Sequence, residues 1–141
     1  TNLQAALGLA QLERLPEFLA VKRRNAALYR ELLAEIPGLS WQEELPGAES
    51  NWWLFNVLVD PELFGEDRVA LARRLREAGI QVRPVFLPLP DQPAYRQYGL
   101  GVCPVAADIH RRGLSLPSAS FLTEEDVRYV CRVLLDRTPY W

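Results

Sequence analysis

The catalytic systems that side chains can build alone each demand a set of groups, and this sequence lacks most of them. His110 is the single histidine, in a helical stretch ahead of Arg111-Arg112. A Ser-His-Asp or Cys-His system would have to use it, yet no Gly-x-Ser-x-Gly elbow is present, so a helix-surface histidine is predicted. Cys103 and Cys131 have no metal spacing, and His110 with Asp108 adds too few ligands. Gly99-Leu100-Gly101 lacks the third glycine of a dinucleotide loop. The acids Glu66-Asp67 and Glu124-Glu125 open helices, where they favour the dipole. What remains is the segment running from Arg83 through Pro84, Val85 and Phe86 to Tyr95. It combines a fixed cation, aromatic faces and prolines that hold a loop open, parts suited to gripping a phosphorylated or sugar-like ligand. Pairing of Arg83 with a nearby carboxylate is the structural alternative.

The elements that must position this loop can be read from periodicity. Residues 2–36 are predicted as a helix that opens on the capping pattern Thr1-x-x-Gln4, with Pro16 imposing a kink or break and Pro37-Gly38 ending it. So long a stripe suggests a helix bridging two bodies. Leu39 and Trp41 alternate as a strand. The run 52–59 is predicted as a central strand covered on both sides, a buried home for Trp52 and Trp53, with the cleft as the alternative for both. Asp60-Pro61 stops it. A helix over 66–78 ends at Gly79, and Ile80 to Arg83 is a short strand. Residues 84–102 hold four of the eleven prolines and form a shaped loop, the kind of segment where binding residues concentrate. A short helix over 104–111, a strand over 113–116 and a last helix capped by Thr123 and running to about Leu135 complete the chain. The predicted architecture is α/β: a small, mostly antiparallel sheet with helices on one face and a long N-terminal helix. Residues 1–37 are taken as the bridging helix and 38–141 as the small α/β domain.

Composition bounds the rest. The chain has 141 residues, 49% hydrophobic, with a net charge of −2, and a chain of this size buries roughly 70% of its unfolded surface in one core. No global positive field exists to collect nucleic acid, and the clusters Lys22-Arg23-Arg24, Arg73-Arg74 and Arg111-Arg112 read as solvated faces. No apolar run reaches the length of a membrane span. Two cysteines without a framework suit reduced thiols in the cytoplasm, although a single disulfide is also compatible. Methionine is absent, and of 16 basic residues only Lys22 is lysine. A chain opening Thr1-Asn2-Leu3 without methionine is expected to be part of a longer protein.

Several stretches, in order, resemble one family, the DegT/DnrJ/StrS aminotransferases. They are Thr1 to Leu12, Arg23 to Tyr29, Trp52-Trp53-Leu54-Phe55, Ala78-Gly79-Ile80, Arg83-Pro84-Val85-Phe86, Gln92-Pro93-Ala94-Tyr95 and Leu114 to Ser118. The Arg-Pro-x-Phe form of the loop is most similar to the perosamine-synthase side of that family. The resemblance implies the C-terminal part of a fold-type-I, pyridoxal 5′-phosphate (PLP) enzyme acting on nucleotide-linked keto sugars. It further implies that the catalytic lysine and the cofactor contacts lie outside this chain, that glutamate is the amino donor and that the full-length protein is a homodimer. It assigns Arg83, Phe86 and Tyr95 to the wall of the sugar-nucleotide site. The family's histidine at the position of Pro90 has no counterpart, so no role is carried to that position. An imine with PLP needs a lysine amine, and Lys22 is expected on a charged helix face without a pocket, so neither a catalytic nor a cofactor-binding residue is assigned within the chain. The fragment alone is expected to be inactive. A PLP-dependent sugar dehydratase on the same frame and a free-standing ligand-binding or regulatory domain are the rival readings.

Overall fold

Thr1 starts the first helix through the reciprocal bonds its spacing predicts: the Gln4 N–H donates to Thr1 Oγ1, and the terminal amine of Thr1 donates to Gln4 Oε1 at 2.8 Å. In the computed structural model, which describes residues 1–99 and 101–136, this helix, α1 (Asn2–Glu13), is followed by a separate one, α2 (Leu15–Leu33). The break falls at Arg14, two residues ahead of Pro16, because proline is accommodated in the first turn of a helix, where an N–H would lack a partner anyway. Of the expected 38–141 unit, Leu100 within Gly99-Leu100-Gly101 and residues 137–141 lie outside the described residues.

Among the described residues four strands form one antiparallel sheet in the order β1-β2-β4-β3: β1 (Leu39–Trp41), β2 (Phe55–Val59), β4 (Gly113–Leu116) and β3 (Arg83–Pro84). Pairing of Phe55 with Leu116 and Val57 with Leu114 puts alternate apolar side chains of the two central strands on one face. Tyr29 and Leu33 of α2, Leu71 and Leu75 of α4 (Arg68–Glu77), and Val127, Val130 and Leu134 of α6 (Glu124–Leu135) complete the core over that face. Tyr29 stacks on Phe55 with ring centroids 4.8 Å apart and donates its hydroxyl to the Pro117 carbonyl at 2.9 Å. Burial pushes its ionisation well above the ordinary phenol value. The capping box at Thr123 and Asp126 that opens α6 is present.

Several elements differ from the sequence expectation. The strand expected over 52–59 begins at Phe55, because Trp52 adopts a left-handed backbone, φ 47°, which breaks an extended run. Its second face is not fully covered: Asn56 and Leu58 are half-buried. Asp60-Pro61 ends β2 and also caps a one-turn helix, α3 (Pro61–Phe64), with Asp60 accepting from Glu62 and Leu63 N–H groups. Gly38 is what lets this turn approach: a Cβ there would collide with the Phe64 backbone. The strand expected over 80–83 shrinks to Arg83–Pro84. The basic pairs are not simply solvated either. Arg74 is tucked under the end of α6, where it pairs with Glu66 and donates to the carbonyls of Val133, Leu134 and Asp136, the unpaired acceptors of a helix C-terminus. Arg111 and Arg112 both pair with Asp108 on α5 (Pro104–Arg112).

Candidate functional site

The second face of the sheet carries polar side chains where the first carries the core. Asn56 pairs with Ser115 across β2 and β4, and the Ser115 hydroxyl donates to Asn56 Oδ1 at 2.6 Å. Gln42 continues the pattern beyond β1: its amide donates to the Leu54 carbonyl at 2.7 Å and accepts from the Asn56 N–H at 3.0 Å. Above this floor lies a cleft of about 340 Å³ lined by Lys22, Trp53, Arg83, Phe86, Ser115 and Ser118, among others. A recess of about 260 Å³ with Gln42, Asn51 and Asn56 adjoins it and shares Trp53 and Phe86.

Each side chain arrives there for a local reason. Arg83 is placed by β3, its Cα opposite Ser115, and makes no ion pair among the described residues. Phe86 follows directly on the end of that strand pair. The Val85 N–H donates to the Gly113 carbonyl at 3.1 Å, and the Val85 carbonyl accepts from His110 Nδ1 at 2.6 Å. His110 is therefore half-buried and pins the root of the loop, a role the helix-surface reading missed. Phe86 and Trp53 are 68% and 62% exposed, yet they stack with centroids 6.3 Å apart and planes within 25°. Trp52 points the other way, into the core against Phe55. The two tryptophans expected together are thus divided, one to the core and one to the cleft.

Lys22 also departs from expectation. It is half-buried at the cleft rather than on an open helix face. Its Nζ donates to the carbonyls of Trp53 at 3.1 Å and Ser118 at 2.5 Å, and burial lowers its pKa by disfavouring the ammonium. Among the described residues, Lys22 and Arg83 are the cations in the lining of the cleft and its recess, and no carboxylate stands there. The arrangement can hold an anionic group beside an aromatic face. Tyr95 lies outside that lining, 42% exposed in the turn that begins at Gln92. Of the three residues assigned from sequence, the structure brings Arg83 and Phe86 to the cleft lining and leaves Tyr95 outside it, and Lys22, Gln42, Asn56 and Ser115 stand there without having been assigned. The available signal was the polar phase inside apolar strands, Asn56 in β2 and Ser115 in β4.

Over residues 1–135 the sequence matches the DegT/DnrJ/EryC1/StrS aminotransferase family. The chain belongs to that family. GDP-perosamine synthase of Vibrio cholerae is 33% identical over 135 residues, which cover 95% of this chain and 36% of that protein. Among solved structures, the aminotransferase TlmJ from Streptoalloteichus hindustanus superposes with a TM-score of 0.80 at 32% identity, over 92% of this chain and 34% of that one. The E. coli GDP-4-keto-6-deoxy-D-mannose-3-dehydratase with bound hydrated PLP superposes at 0.78 and 27% identity, over 92% of this chain and 34% of that one. The chain spans about a third of the length of the relatives it matches.

Members of the family are PLP-dependent sugar aminotransferases, with some dehydratases, on a fold-type-I frame. The described residues that line this cleft do not fit the imine-forming part of a PLP site. The chain's one lysine, Lys22, is engaged with two backbone carbonyls, and the cleft supplies no acid to hold a pyridine nitrogen. Among the described residues no group of His, Cys, Asp and Glu could hold a metal ion. No described helix is long and apolar enough to cross a membrane.

Proposed function

We propose that this chain is the part of a PLP-dependent sugar aminotransferase that walls the site for a nucleotide-linked 4-keto-6-deoxy sugar. Arg83 faces the diphosphate, the Trp53–Phe86 pair offers the apolar face, and Tyr95 stands at the outer end of the same loop. The observation that carries this reading is the Arg83 guanidinium, without an ion pair among the described residues, beside stacked, exposed aromatics in a cleft whose described lining holds no carboxylate. A fixed cation with five donors and a flat aromatic surface are the complement of a phosphorylated, ring-bearing ligand. The lysine that forms the imine with the cofactor belongs to the rest of the protein, and the chain alone is inactive. Glutamate gives the amino group, the full-length protein is a cytoplasmic homodimer, and nucleic acid and membranes are not partners. The exposed leucines of α1, Leu3, Leu7 and Leu12, support a covering body on that helix, either the cofactor-bearing part or a second subunit.

The test is calorimetric titration of GDP into the 141-residue chain. Binding is expected, and Arg83→Ala is expected to weaken it about tenfold, the loss of one charge-assisted contact. Titrations of GDP and dTDP that both leave the protein unaffected would overturn the reading. The likeness to the E. coli dehydratase favours one second reading, a sugar dehydratase. The residue occupying the imine position in the whole protein, lysine or another, separates the two.

A further inference from the structure

We propose that Lys22 is a positioning residue for the cleft: its ammonium ties the two backbone segments that flank the site and thereby aims Trp53 at Phe86. The proposal deepens the substrate-wall reading and rests on it for the identity of the ligand. Its observations are independent of any ligand. Lys22 Nζ bonds to Trp53 O and Ser118 O, partners 31 and 96 residues away in sequence. Trp53 lies just ahead of β2, and Ser118 just past β4. At those points the strand pairing has ended, so both carbonyls lack ladder partners and need another donor. A helix-borne cation supplies it and replaces the cross-strand link that the sheet no longer provides.

The need for such a tie arises at Trp52. A bulky residue in the left-handed region is disfavoured and persists only where its surroundings over-determine it. Here the Trp52 ring is buried on Phe55, and the Trp52 and Trp53 N–H groups donate to Ser50 Oγ and Asn51 Oδ1, both at 3.0 Å. These contacts hold the turn from the core side. From the helix side, Lys22 takes the Trp53 carbonyl, and Arg23 reaches Glu49 at 3.0 Å. The Arg23 pair is exposed and contributes little. Lys22, half-buried and bonded to two carbonyls, is the contact that fixes where the Trp53 ring leaves the turn. Without it the turn can relax toward ordinary φ values, and Trp53 swings off the face of Phe86.

Because Lys22 is the single lysine in the sequence, lysine-selective isotope labelling gives one assignable ammonium signal. In the wild-type chain that signal is expected to be protected from solvent exchange near neutral pH. An ammonium exchanging as fast as a free lysine would overturn the proposal. Lys22→Met keeps the aliphatic stem and removes the donors, whereas Lys22→Arg keeps both charge and donors. Lys22→Met is expected to move the Trp53 indole resonance, identified by its loss in Trp53→Phe, and to weaken GDP binding about tenfold. Lys22→Arg is expected to restore affinity to within about threefold. A Lys22→Met chain that keeps both the Trp53 resonance and the GDP affinity of the wild type would refute the positioning role. Should that variant fail to fold, the wild-type ammonium signal still decides. If GDP does not bind the wild type at all, the substrate reading fails, while the exchange measurement and the Trp53 resonance still judge Lys22.

Discussion

Replacement of Gly113 by alanine probes a tight contact between strand β4 and the root of the loop that carries Phe86. A Cβ added there would lie 2.5 Å from Val85 Cγ2, 2.9 Å from Val85 Cβ and closer still to the Ile109 carbonyl oxygen. Carbon atoms rest at about 3.5–4.0 Å, so Val85 or the end of α5 must retreat by roughly 1 Å. Neither can do so freely, because the Val85 N–H bonds the Gly113 carbonyl and its own carbonyl is held by His110. Forcing an extra methyl into such a contact costs about 1–3 kcal/mol. For a chain of this size, each kcal/mol lowers the melting midpoint by about 4 °C, so a drop of about 4–12 °C is expected by circular dichroism. Phe86 follows Val85 directly, so the displacement also reaches the aromatic pair, and GDP affinity falls with stability. Gly8→Ala is the internal control: nothing lies within 4 Å of that position. In a helix the change favours the folded form by about 1 kcal/mol, and it leaves the midpoint undiminished. A Gly113→Ala chain melting within about 1 °C of the wild type would refute the claim that close packing at Gly113 sets the loop.

Three further outcomes are expected. Incubation with PLP followed by borohydride leaves no stoichiometric adduct on Lys22. Burial favours its free amine, but two carbonyls hold the Nζ; a unit-stoichiometry adduct located there by mass spectrometry would reverse this assignment. Burial pushes the Cys131 thiol up to about 12, whereas Cys103 is exposed, so a disulfide-exchange reagent should titrate one thiol in the native chain and two after denaturation. The folded state holds the Cys131 proton more tightly than the unfolded chain, so this contribution is full below the ordinary thiol value and declines as pH rises toward about 12. Denaturant midpoints that stay flat or rise over that interval would contradict it.

Much of the frame was legible in sequence because it is written in local chemistry. Thr1 with Gln4 and Thr123 with Asp126 mark helix starts through bonds spanning three residues, and such bonds form whatever the rest of the chain does. The turn from extended to helical periodicity located β2 and α4 to within a few residues. Arg83 and Phe86 could be nominated from a loop rich in proline and aromatic residues. Trp52 and Trp53 could not be told apart, since the two residues are chemically identical and their separation depends on a left-handed backbone. Only the packed Phe55 ring and the surrounding turn make that conformation tolerable. The basic pairs misled for a similar reason. Arg74 looks like any arginine on a helix until α6 brings three carbonyls and Glu66 to it.

The sequence by itself therefore determined the order of elements, the caps that start them, the family to which the ordered motifs belong and the proline-rich loop that follows Arg83. All of these depend on neighbours within a few positions or on residue identity. The tertiary structure alone decided which face of the sheet is dry and which is the cleft. It also decided that Trp53 rather than Trp52 stands beside Phe86, and that the lone lysine is a tie between strands rather than a solvated charge. Lys22 shows the reason most plainly: its partners lie 31 and 96 residues away, and a hydrogen bond of that range is fixed by how the chain folds back, not by anything beside Lys22 in sequence.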